Sequence, residues 1–186
     1  MADRLGTKAP LSPLLMKARR LGLVAPEDLE RLAVRRGLRY YEGSSASTIL
    51  REVDEGEDSG MAVTMDDFSN EELAVALLSP AWPYSQQQVR IGGAMLAATG
   101  NCAKRLAHLA QLERSGGVVY HIAKLGHRVE PENPVWGDLV DLLAGESEID
   151  PDRLPHITRF VAMSGFGREG RKLTMQWIRP TQGNAR

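Results

Sequence analysis

With one cysteine, Cys102, the chain has no means of forming an internal disulfide. Aromatic residues are scarce, at 5% of the sequence, so an interior must be built mainly from aliphatic side chains. The longest apolar run, IGGAMLAA at 91–98, is far too short to span a bilayer. The opening MADRLGTKAP lacks the apolar centre of a secretory signal. No P-loop, G-x-S-x-G or H-E-x-x-H motif occurs, which removes the local signatures of several enzyme classes. A formal net charge of −1 gives no overall pull toward nucleic acid or anionic lipid. Together these absences describe a reduced, soluble, cytoplasmic protein with no membrane segment and no cofactor.

What is present suits a globular chain. Of 186 residues, 42% are hydrophobic and 25% charged, enough for a core that needs no metal or disulfide. The near-zero charge hides strong segregation. Residues 44–80 hold nine acidic side chains against one basic, and residues 129–152 hold eight against none. The blocks 1–43, 81–128 and 153–186 are net basic. Such blocks either pair within one fold or face different partners.

Helix grammar runs through most of the chain. Ser12-Pro13 reads as N-cap and first helical residue, Leu14, Leu15, Ala18 and Leu21 share a face, and Gly22 closes the segment. APEDLERLAVRRG repeats the pattern with Leu29, Leu32 and Ala33 inward and Gly37 at its end. SASTILREV offers a third short helix, followed by an acidic linker over 54–68 with a brief extended piece at 61–64. FSNEELAVALLSP carries a capping box, Ser69 with Glu72, and a hydrophobic staple, Phe68 with Leu73. In SQQQVRIGGAMLAATG, Gly92-Gly93 weakens the helix, a cost usually accepted for a close helix crossing. NCAKRLAHLAQLERSGG is expected to be capped by Asn101, to bury Leu106, Leu109, Ala110 and Leu112, and to end at Gly116-Gly117. VVYHIAKLG suits helix or strand, and NPVWGDLVDLLAG a helix capped by Asn133. The tail RKLTMQWIRP alternates in strand fashion. If 157–163 is also extended, the two form a β-hairpin around SGFGREG. The expected fold is mainly α: an N-terminal helical hairpin (1–53), the linker (54–68), and a helical bundle-like domain (69–186) with a C-terminal β-hairpin.

The candidate sites are weighed by context. Leu32-Ala33 followed by Gly37-Leu38 resembles the first half of a helix-turn-helix, but RYYEGSS intervenes and the next helix runs into DEGED. Acidic groups beside a recognition helix oppose a phosphate backbone. GFGREG at 165–170 matches a dinucleotide-binding pattern only formally, with no helix after it. His108, His121, His127 and His156 show no metal-ligand spacing. Cys102, near Lys104 and Arg105, lies in a setting that favours a reactive thiol, with His121 or His156 the tertiary candidates for its base. Asp66-Asp67 and Glu71-Glu72 read as caps and linker charge. The basic residues Arg35, Arg36, Arg39, Arg168, Arg171 and Lys172 are the candidate partner-binding set.

Three functions follow from this reading. The first is a non-enzymatic protein-interaction or regulatory module, with a protein partner or self-association, including a homodimer. The second is a nucleic-acid-binding protein with a degenerate helix-turn-helix. The third is a small hydrolase or transferase with a site assembled from Cys102 and histidines.

Overall fold

A computed structural model describes residues 12–40, 63–82, 85–146, 166–169, 172–175 and 177–178. The fold is mainly helical, with seven helices among the described residues. They are α1 (Pro13–Arg20), α2 (Pro26–Arg35), α3 (Asn70–Leu77), α4 (Gln86–Leu96), α5 (Ala103–Leu112), α6 (Gly116–Val129) and α7 (Pro134–Leu142). Short extended pieces, Arg39–Tyr40 (β1), Phe166–Glu169 (β2), Lys172–Met175 (β3) and Trp177–Ile178 (β4), pair antiparallel as β1 with β4 and β2 with β3. They are too short to set the architecture. The expected hairpin strand at 157–163, the third helix at 45–53 and most of the acidic segment lie outside the described residues.

The bundle is organised around α3. Every residue of this helix is buried, including Asn70, Glu71 and Glu72. It packs most extensively against α4 and also touches α1, α2 and α5. One apolar core runs from Leu14 and Leu29 through Leu73, Leu77 and Met95 to Leu106, Ile122 and Leu139. A helix buried on all sides cannot rely on water at its ends. Trp82 Nε1 donates to Ala76 O (3.2 Å) and the buried Gln88 Nε2 to Leu77 O (2.8 Å). The expected capping box is present: Glu72 N donates to Ser69 Oγ, and Ser69 N to Glu72 Oε2.

Glycines sit where helices meet. A Cβ on Gly92 would fall 2.8 Å from the Leu78 side chain, which accounts for glycine at that position. On α6, a Cβ at Gly126 would overlap the ring of the buried Trp136, the largest side chain of α7. Trp136 Nε1 donates to Glu130 Oε2 at 2.8 Å, so the indole is fixed from both ends.

Three local expectations are corrected. Gly116-Gly117 does not end α5; it opens α6, because Arg114 turns the chain at φ 58° and a Cβ at Gly116 would strike the Glu146 carboxylate. The ambiguous VVYHIAKLG is helix. Asn101 does not cap α5, since Cys102 occupies that position; Asn101 Nδ2 reaches back to Met95 O and Leu96 O at the end of α4. Leu112 is 56% exposed, not buried.

Gly126→Ala is expected to cost about 1–3 kcal/mol through overpacking against Trp136. Chemical denaturation of the two proteins checks this, and an unchanged midpoint would mean the indole has room to move.

Candidate interaction surface

The N-terminal helices are held by side chains of the central bundle. For α1, Pro13 has no amide to satisfy, Leu15 N donates to Ser12 Oγ (3.0 Å), and Met16 N to Ser12 O (3.0 Å). Leu14 N donates to Oε1 of the buried Glu113 (2.7 Å), and Ser12 Oγ donates to Oε2 of the same carboxylate. Glu113, at the end of α5, therefore completes the cap of α1. Lys17 Nζ reaches both Glu72 oxygens at 2.7 and 2.8 Å and lies 5.7 Å from the Phe68 ring centroid.

Arg36, at the C-terminal end of α2, points inward. Its guanidinium donates to Asn70 Oδ1 (3.1 Å), Thr64 O (3.2 Å) and Phe68 O. Burial pulls its pKa down to about 10, with Glu72 acting in the opposite direction, so it remains charged at neutral pH. Alongside, Glu30 accepts from Gln87 Nε2 (3.1 Å); burial first, then Glu27, raises its pKa.

These anchors leave a distinct outer face. Leu14, Leu15 and Ala18 are buried, so Met16, Arg19 and Arg20 of α1 face outward. On α2, Glu27, Arg31 and Arg35 follow one another at four-residue steps and are exposed. The connecting turn presents Val24, 60% exposed, and Met16 is 38% exposed. Among the described residues the ion pairs are Lys17–Glu72 and Arg31–Asp28, and Arg19, Arg20 and Arg35 enter none. The exposed sides of α1, α2 and their turn thus carry solvated arginines and two open apolar side chains.

The six nominated residues are dispersed. Arg35 lies on this face, and Arg36 is committed to the fold. Arg39 stands opposite Ile178 in β1–β4; Arg168 and Lys172 stand opposite Leu173 and Glu169 in β2–β3. Arg171 lies outside the described residues. Arg19 and Arg20 lie outside that set, although the spacing of Leu14, Leu15 and Ala18 already turns them outward.

Cys102 is exposed and free, and its N–H donates to Glu71 Oε1 (3.3 Å). His108, six residues along the same helix, is about 9 Å away in axial rise, beyond hydrogen-bond reach. His121 is half-buried on α6; His127 is exposed on the same helix beside Gly137; His156 lies outside the described residues. Among the described residues no three His, Cys, Asp or Glu side chains gather as a metal site. A second basic stretch, Lys104, Arg105 and His108 on α5, ends at the exposed Leu112. No described helix is long and apolar enough to cross a membrane.

Arg36→Ala is expected to lower stability by about 1–3 kcal/mol, because it strands the buried oxygens it satisfies. Arg36→Lys should recover less than half of that, since an ammonium cannot reproduce the forked geometry. Urea titration checks both; full recovery by lysine would show that charge alone matters there. Comparison with family models, with curated proteins and with solved structures finds no match to this chain.

Proposed function

We propose that this chain is a non-enzymatic protein-interaction module that docks an acidic, partly apolar protein segment on the outer face of α1 and α2. The observation carrying the reading is that Arg19, Arg20 and Arg35, without ion-pair partners among the described residues, are exposed on two consecutive helices together with Met16 and Val24. Arginine and methionine are both enriched at protein interfaces. Arginine also keeps its charge in all ordinary conditions and binds carboxylates through a planar fork.

The same arginines raise the nucleic-acid alternative, and two features weigh against it. Val24 and Met16 offer apolar contact that a phosphate backbone would not use. Among the described residues, Leu38 also leads into the extended Arg39–Tyr40 and not into a recognition helix.

Fluorescence anisotropy with a labelled Glu/Leu-rich peptide and a labelled DNA duplex separates the readings. The peptide is expected to bind, to weaken with salt, and to lose about ten-fold in affinity with Arg19→Glu and Arg35→Glu combined. Tighter binding to the duplex, or binding to neither probe, would overturn the reading.

A further inference from the structure

The outer surface of α7 mirrors that of α1. In α1 one apolar side chain, Met16, is followed after three and four residues by Arg19 and Arg20. In α7 one apolar side chain, Leu142, is preceded by Asp141 and, after four residues, by Asp138. Leu142 is 42% exposed, both aspartates are exposed, and no basic residue occurs between 129 and 152. Among the described residues neither aspartate enters an ion pair.

Run antiparallel, the two helices come into register. Four residues span about 6 Å of axial rise, so placing Met16 against Leu142 sets Arg20 beside Asp138. Arg19 then falls within reach of the same aspartate pair. Within one chain these faces serve different parts of the bundle: α1 packs on α3, whereas α7 packs on α5 and α6.

We propose that this protein self-associates, α1 of one copy lying antiparallel on α7 of another, so that each copy offers its basic face to the acidic face of its partner. The inference rests on the docking face proposed above and names a second copy of this chain as an occupant. Across a two-fold axis the contact occurs twice, which closes the assembly as a dimer. Charge complementarity sets the register, and the Met16–Leu142 contact supplies its dry centre.

Sedimentation equilibrium of the full chain tests it. The wild type is expected to shift from monomer to dimer as concentration rises at low salt. It should revert toward monomer near 1 M salt, where the screening length falls to about 3 Å. The doubly reversed variants R19E/R20E and D138K/D141K should each associate more than about ten-fold more weakly, because like charges then face one another. Mixing the two variants should restore the dimer, since both contacts are again complementary. A wild type that stays monomeric at low salt, a dimer indifferent to both reversals, or a mixture that remains monomeric would overturn the proposal. D138K/D141K separates the two ideas: it should abolish self-association yet leave binding of the acidic peptide intact, whereas loss of peptide binding by the wild type would indict the docking face itself.

Discussion

The structure depends on burying a short helix whose first turn is polar. Asn70, Glu71 and Glu72 sit at the start of α3 beneath the other helices. Carboxylates removed from water are costly unless each finds a partner, and the three side chains find theirs on three different elements. Asn70 accepts from Arg36 at the end of α2, Glu71 from the amide of Cys102 at the start of α5, and Glu72 from Lys17 of α1. Negative charge at a helix N-terminus is also favoured by the helix dipole. The polar turn therefore fixes where α1, α2 and α5 meet, which apolar packing, being non-directional, would leave open.

From this constraint the outer surface follows. Because Lys17 and Arg36 are drawn inward and Glu113 holds the start of α1, the remaining faces of α1 and α2 are left to solvent. Arg19, Arg20 and Arg35 therefore stand outside while two neighbouring cations do structural work. Elsewhere in the bundle, Gly116 and Gly126 let α7 and its C-terminal flank approach α6, and Asp138, Asp141 and Leu142 are exposed. The described ion pairs, Lys17–Glu72 and Arg31–Asp28, leave Arg19, Arg20, Arg35, Asp138 and Asp141 without such partners.

Much of the helical pattern was legible in local sequence. Ser12-Pro13, the Ser69–Glu72 box, Asn133-Pro134 and the left-handed Gly22 and Gly37 encode their roles within four or five residues. What misled was anything decided by a distant neighbour. Gly116-Gly117 has the composition of a helix stop, but the Glu146 carboxylate, thirty positions away, gives Gly116 its purpose at a helix start. Leu112 falls on a plausible inner position yet is exposed, whereas the next residue, Glu113, is the one buried, against the start of α1. Arg36 looked like a surface cation beside Arg35, and no local rule shows that the carbonyls of Thr64 and Phe68 come to it. Glu71 and Glu72 read as helix caps, which Glu72 is, but no local rule shows that both are buried and hold Cys102 and Lys17.

If the polar first turn of α3 is the fastener of the bundle, then α3 should be its most persistent element. Native-state hydrogen exchange measures this directly. The amides of Leu73–Leu77 are expected to exchange only through global unfolding, with opening free energies equal to the overall stability, and Glu72→Gln should lower that value together with the protection of α1. Amides of α3 that exchange by local opening, or a Glu72→Gln protein in which α1 keeps its full protection, would contradict the account.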